Sequence, residues 1–252
     1  VMDRKKRYKF GQNYLKDPLI INSIVSAIHP IGSKVLEIGP GNGALTSGLA
    51  KNHKLTCIEI DPENVEYLSK HLASQSGEIF QADFLSWTPK DDEVFEIIVG
   101  NLPYNISSQI LLKILRPSFQ PQFAFFMLQK EVAERIIAKP GSRNWGKLGV
   151  KCSLHYQSTI LFDVPPESFD IKPKVMSAFI EMQKKISLIK PELETEFFHF
   201  IDAAFQYKRK TLINNLKNSF LQKDLKDLID PKQRPEELSS EDYVELFNQL
   251  KK

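Results

Sequence analysis

The most constraining stretch of the chain is Lys34 to Thr46, KVLEIGPGNGALT, where a short apolar run (Val35, Leu36, Ile38) stops at three glycines spaced two apart. The pattern predicts a strand, a tight turn and a helix start. Without a Cβ, Gly39, Gly41 and Gly43 let the turn take positive φ and let a ligand approach the backbone closely. A helix following Asn42 would present free N–H groups to that ligand. Twenty residues after Gly39, the next apolar run, LTCIEID, ends in Glu59 and Asp61. A nucleotide-binding α/β sheet places an acid there to accept from ribose hydroxyls. The spacing is G-x-G-x-G rather than the G-x-G-x-x-G of dinucleotide sites, and no lysine-bearing phosphate loop is present. This moves the reading from a nicotinamide dinucleotide towards S-adenosylmethionine (SAM), a nucleoside with no pyrophosphate to cradle. Glycines that merely make a tight strand-to-helix connection are the competing structural explanation, and Glu59 at the right distance weighs against it.

At 252 residues with 42% hydrophobic content, the chain can bury one large domain or a large and a small one. Its longest apolar run, Phe123 to Leu128, is far too short to span a bilayer, and the basic N-terminus lacks the apolar segment of a signal peptide. A cytoplasmic protein with no membrane partner is expected. Cys57 and Cys152 lie in apolar runs with no CxxC or His-rich neighbourhood, which predicts core thiols and no metal. The net charge of +3 is unevenly spread: residues 1–16 carry a basic arm against Asp3. Lys139, Arg143, Lys147 and Lys151 cluster without an acid among them, and so do Lys208, Arg209, Lys210 and Lys217. Such clusters in a nearly neutral chain point to a polyanion.

From Lys34 to about Lys130, short apolar runs alternate with helical periodicity, predicting βαβ units and a mostly parallel sheet. Strands are expected at Val35–Gly39, Leu55–Ile60, Ile79–Gln81, Phe95–Gly100 and Phe123–Leu128. Helices are expected at Pro18–Ile28 and around 43–51, 62–73, 107–115 and 130–138. Ligands sit at the carboxyl ends of such strands, so Gly39, Glu59, Asp83 and Asn101 should face one crevice. Further strands are expected at about 149–162 and 175–183. From Leu193 onward, Phe197, Ile201, Phe205, Leu212, Leu216, Phe220, Tyr243 and Phe247 predict a small all-α domain. The expected boundary divides residues 1–186 from 187–252.

Two further stretches carry chemistry. In FGQNYL, Gln12 and Asn13 sit between Phe10 and Leu15, a pattern that packs a segment down and leaves amides for a ligand; a plain turn into the first helix is the alternative. Asp83 in QADFL is either an acceptor for an adenine amino group or a turn residue. In NLPYNISSQIL, Asn101 offers a side-chain carbonyl, Pro103 fixes the geometry around the Leu102 carbonyl, and Tyr104 adds an aromatic face. Together they can grip a planar base through its exocyclic amine. Phe169, among prolines in DVPPESFDIKPK, is not obviously core and could stack on a base opposite Tyr104.

Taken in order, FGQNYL, VLEIGPGNGALT, IEID, ADFL, NLPYNISSQIL, AKPGSRNWGKLGV, PESFDIKPKVMSAF, AFQYKRKTLINNL and RPEELS resemble the ribosomal RNA adenine N6-dimethyltransferases, specifically the bacterial type acting on small-subunit rRNA. The resemblance implies a Rossmann-like, seven-stranded class I SAM-dependent methyltransferase domain and a C-terminal helical domain. It implies SAM as donor, dimethylation of two adjacent adenosines near the 3′ end of the rRNA, and action as a monomer on an immature 30S-type particle. By position, Gln12, Asn13, Leu15, Gly39, Gly41, Glu59, Asp83 and Asn101 then contact the cofactor. Asn101, Leu102, Pro103, Tyr104 and Phe169 hold the adenine, and Arg143, Lys147, Lys208, Arg209 and Lys210 meet RNA. Tyr14 stands where Phe is commoner in the family. Lys208 replaces a frequent Arg, which keeps the charge and loses the bidentate fork. The rivals are a large-subunit rRNA adenine N6-methyltransferase of the macrolide-resistance type, a non-catalytic RNA-binding assembly factor on the same fold and, more distantly, a nicotinamide oxidoreductase.

Overall fold

The computed structural model describes residues 13–72, 77–90, 93–116, 118–218 and 222–251. Gln12, the basic arm and Phe220 lie outside them. The chain forms two compact units, one running to Ala133 and resuming at Thr159–Lys184, the other made of Glu134–Ser158 and the chain from Lys185 onward. The expected boundary at 186/187 falls two residues from the crossing at 184/185. Residues 134–158 group with the C-terminal unit, a division that no single cut in the sequence expresses.

Along the chain, α1 (Pro18–Ala27) is followed by β1 (Lys34–Ile38), α2 (Thr46–Asn52), β2 (Lys54–Glu59), α3 (Pro62–Leu72) and β3 (Gly77–Gln81). Then come β4 (Ile97–Asn101), α4 (Ser107–Ile114), β5 (Phe123–Gln129) and α5 (Lys130–Ile137). After α6 (Lys147–Ser153), strands β6 (Tyr156–Val164) and β7 (Ser177–Lys184) complete a seven-stranded sheet of order β3-β2-β1-β4-β5-β7-β6. Strands β1 to β5 are parallel, and β7 runs antiparallel to β5. The central strands β1, β2, β4 and β5 are buried nearly end to end, which is why they read as unbroken apolar runs. The outer strands β3 and β6 alternate with exposed positions. Each fully buried side chain here, such as Val35, Ile97, Val99 or Phe125, contributes about 1.5–3 kcal/mol relative to exposure.

The five expected strands through β5 form within two residues of their expected ends. Helix α1 starts where Asp17 accepts from the Leu19 and Ile20 N–H groups, with Pro18 in the first turn. Two expectations fail locally. Helix α2 starts at Thr46 rather than 43, because residues 41–45 turn through positive φ at Gly41 and Gly43. The strand expected at 149–162 starts only at Tyr156, since 147–153 is helical. Gly149, Val150, Lys151 and Cys152 are all buried, and burial on all sides hides helical periodicity.

The C-terminal unit packs α7 (Glu194–Ala204), α8 (Leu212–Leu216), α9 (Gln222–Leu228) and α10 (Ser240–Leu250) with α6. Phe197 meets Phe247 edge-on at 5.3 Å. Trp145 Nε1 donates to the Leu238 carbonyl at 2.8 Å. Gly149 lets α6 lie against Trp145 and the Arg135 carbonyl, which a Cβ would strike at 3.0 and 2.7 Å. Lys208, Arg209 and Lys210 occupy the turn before α8.

Candidate active site

The sheet order reverses direction between β1 and β4: the chain moves outward through β2 and β3, then returns to β4 on the other side of β1. In parallel sheets the crevice beyond the carboxyl ends at this switch point is the ligand site. A cavity of about 270 Å³ opens there. Of the residues expected on the cofactor, Asn13, Leu15, Gly39, Gly41, Glu59, Asp83 and Asn101 line it. Leu102, Pro103 and Tyr104 line the same cavity.

On the β1–β2 flank, polar groups are tied to their own backbone. Glu59, only 3% exposed, accepts from Gly41 N–H through Oε2 at 2.9 Å and from Asp61 N–H through Oε1 at 2.8 Å. Burial pushes its carboxyl up, and these backbone donors oppose the shift. Gly39 N–H donates to the Ile58 carbonyl and Gly43 N–H to that of Pro40, both at 2.9 Å. The amides of Gly39, Gly41 and Gly43 are therefore occupied internally. Glu59 keeps acceptor capacity for a ribose hydroxyl. Gly41 has φ +58°, and a Cβ on it would lie 2.7 Å from Tyr14 Cε1. The Tyr14 ring thus roofs the glycine turn, and Asn64 Nδ2 donates to its hydroxyl at 3.1 Å.

The segment carrying Tyr14 and Leu15 is zipped to residues 168–170. Tyr14 N–H donates to Asp170 Oδ1 at 3.0 Å, Asp170 N–H to the Tyr14 carbonyl at 2.9 Å, and Lys16 N–H to the Ser168 carbonyl at 2.9 Å. Leu15 and Phe169 form an antiparallel bridge. Phe169 is 0% exposed and belongs to the hydrophobic core, away from the cavity lining. The expectation that it is a non-core stacking residue is corrected: the prolines around it shape a loop that turns its ring inward under the N-terminal segment.

On the β4 flank, Asn101 Nδ2 donates to the Asn13 carbonyl at 2.8 Å, which fixes the amide and leaves Oδ1 as its acceptor. Among the described residues no donor reaches that oxygen. Tyr104 lines the cavity, its hydroxyl bonded to Ser177 Oγ at 2.6 Å. Burial pushes the phenol's pKa up, with Ser177 opposing. Asp83 fits both readings: Oδ1 accepts from Leu85 N–H at 2.9 Å as a turn residue does, while the residue lines the cavity.

Asn64 and Ser177 are not legible as site residues in the sequence, because their partners lie 50 and 73 positions away. Glu37 was detectable as an acid inside the apolar run VLEI. It lines the cavity, and burial pushes its carboxyl up to about 7, with the Cys57 thiol donating to it at 3.6 Å. Cys57 and Cys152 are buried free thiols. Among the described residues, no group of His, Cys, Asp and Glu is arranged to hold a metal ion, and no helix is long and apolar enough to cross a membrane.

Of the expected RNA-facing residues, Arg143, Lys147, Lys208, Arg209 and Lys210 are exposed on the C-terminal unit. Lys147 lies 3.6 Å from Asp202, and Lys210 sits over the Tyr207 ring. Lys151, counted in the same basic cluster, is 4% exposed and pairs with Asp202 at 2.9 Å, so it does not belong to an open cationic face.

A family model described as "Ribosomal RNA adenine dimethylase" matches residues 3–252. The "Ribosomal RNA small subunit methyltransferase A" of Legionella pneumophila (strain Corby) is 41% identical over 255 residues, covering 97% of this chain and 98% of that one. The crystal structure of a dimethyladenosine transferase from Plasmodium falciparum superposes with a TM-score of 0.79 at 27% identity, covering 94% and 97% of the two chains. That of the 23S rRNA methyltransferase ErmE gives 0.73 at 25% identity, covering 95% and 100%.

Proposed function

The chain belongs to the ribosomal RNA adenine dimethylase family, and on that premise we propose that it transfers methyl groups from SAM to N6 of two adjacent adenosines near the 3′ end of small-subunit rRNA. The products are N6,N6-dimethyladenosines, made in the cytoplasm by a monomer acting on an immature 30S-type particle. The observation that carries this reading is the fixed orientation of Asn101, with Nδ2 held by the Asn13 carbonyl and Oδ1 left to accept.

An adenine N6 is a weak nucleophile because its lone pair is delocalised into the ring. Asn101 Oδ1 and the Leu102 carbonyl, each accepting one amino hydrogen, favour the pyramidal form in which the lone pair can attack. SAM, when bound, supplies an electrophilic methyl group on a sulfonium that departs as a neutral thioether. Asn101 is uncharged and takes no proton; the extra proton on the product nitrogen is acidic and passes to water. The protein's contribution is mainly in-line positioning, which supplies roughly 7–11 kcal/mol in favourable cases. Tyr104 offers its ring face to the purine. Glu59 accepts from the cofactor's ribose hydroxyls and Asp83 from its adenine amino group, while Asn13, the Leu15 backbone, Gly39 and Gly41 shape the remaining wall. Arg143, Lys147, Lys208, Arg209 and Lys210 meet RNA phosphates.

Higher identity to the small-subunit relative than to ErmE supports the small-subunit substrate over the large-subunit one. The test is mass spectrometry of small-subunit particles lacking the modification, after incubation with this protein and SAM. Two adjacent dimethyladenosines are expected. Methylation confined to large-subunit rRNA would favour the rival enzyme, and SAM binding without transfer would favour an assembly factor.

A further inference from the structure

Lys113, on α4, is 6% exposed, an unusual place for an ammonium group. Its Nζ donates to three backbone carbonyls of one loop: Phe84 at 2.6 Å, Leu85 at 2.9 Å, and Trp87. The rings of Phe84 and Phe119 face it at 5.1 and 5.4 Å. Desolvation lowers its pKa, the charge of Arg116 adds to that, and the charge of Asp83 opposes it. Three N–H donors meet three carbonyls, so the buried cation has its hydrogen bonds satisfied.

The same loop is gathered from its other side by Asp83. The Asp83 carbonyl accepts from Ser86 and Trp87 N–H at 3.0 and 2.9 Å, and its Oδ1 accepts from Leu85 N–H at 2.9 Å. Asp83 therefore collects the amides of residues 85–87 while Lys113 collects carbonyls of 84, 85 and 87. Helix α4 begins at the turn that follows Asn101–Tyr104, where Ile106 N–H donates to the Pro103 carbonyl at 3.2 Å and Ser107 Oγ to that of Tyr104 at 3.3 Å. One short helix thus joins the acceptor-gripping turn to the Asp83 loop.

We infer that Lys113 is a positioning residue for the cofactor: by holding the 84–87 carbonyls it sets the direction of the Asp83 carboxylate into the cavity and locks that loop to the NLPY turn. The inference rests on the reading of Asp83 as a cofactor contact. An apolar residue of the same length would fill the space and leave three carbonyls without donors.

The test is SAM affinity by calorimetry on the full chain, with KM values for SAM and RNA measured alongside. K113M is expected to weaken SAM about tenfold, and K113Q, which keeps one amide donor, by a smaller factor. The loss should fall on KM for SAM and not on KM for RNA. D83A should also weaken SAM, and K113M/D83A should bind no worse than D83A alone. Should K113M fail to fold, K113Q and K113Q/D83A carry the same comparison. If D83A weakens SAM while the Lys113 variants bind as the parent does, or if the losses simply add, the positioning role is overturned and the Asp83 reading survives. If D83A leaves SAM affinity unchanged, it is the Asp83 reading that fails.

Discussion

The two flanks of the crevice are built differently. Beside β1 and β2, the Glu59 oxygens and the amides of Gly39, Gly41 and Gly43 are already engaged with the protein's own backbone. Beside β4, Asn101 is held through its nitrogen and presents an oxygen that no described residue satisfies. A finished frame recognises by shape and by the spare lone pairs of a buried acid. An open acceptor awaits a group that brings N–H. On the proposed function, the first flank binds the donor in its ground state and the second activates the acceptor.

Substitution at Asn101 should separate the flanks most sharply. Asn101→Ala is expected to lower single-turnover methyl transfer by about 10³-fold, as removal of a preorganised electrostatic partner does, while SAM still binds, if more weakly. Equal losses in turnover and SAM affinity would erase the division. Gly41→Ala acts on the other flank: it forces an L residue to φ +58° and drives a Cβ into Tyr14. Its left-handed backbone alone costs about 1–2 kcal/mol, so KM for SAM should rise tenfold or more with a smaller change in kcat.

Glu37 probes how closed the first flank is. Its folded pKa, about 7, lies above the ordinary carboxylate value, so its stabilisation is fully present below pH 4.5 and is lost as pH rises through 7. Relative to Glu37→Gln, the parent should lose on the order of 1–3 kcal/mol between those limits in urea unfolding; parallel pH profiles would show that water reaches this carboxyl. Neutralising Arg209 and Lys210 touches neither flank. It should leave SAM affinity intact and reduce the salt dependence of RNA binding by a log–log slope of about 0.7 per lost contact, and an unchanged slope would remove this turn from the RNA path. The smallest effect is expected at Tyr104. Tyr104→Phe loses one hydrogen bond to Ser177, about 1 kcal/mol, and should cost less turnover than Tyr104→Ala; equal losses would transfer the role from ring to hydroxyl.

The frame was readable in the sequence because it is local. Val35, Leu36 and Ile38 against Gly39, or Ile97–Val99 against NLPY, announce strand and turn within a dozen residues. What is not legible in the sequence depends on distant partners. The role of Lys113 is not legible there, since the carbonyls it meets lie 26 to 29 positions earlier. Phe169 reads as not obviously core because its flanking prolines mark a loop, whereas it packs in a core cluster that includes its bridge partner Leu15, 154 positions upstream. Residues 149–152 looked like a strand because burial on all sides of a helix removes the periodic signal.

The zipper between Tyr14–Lys16 and Ser168–Asp170 has a consequence for biosynthesis. Its halves are separated by 156 positions at Tyr14 and Asp170, so a nascent chain can contain the residues of β1 to β5 and still lack the backbone partners that fasten the roof over its glycine turn. At about 5–20 residues per second of translation, that roof waits on the order of 8–30 seconds for Asp170 to be made. Truncations ending before Phe169 lack the partners that fasten Tyr14–Lys16, and strand β7 with them.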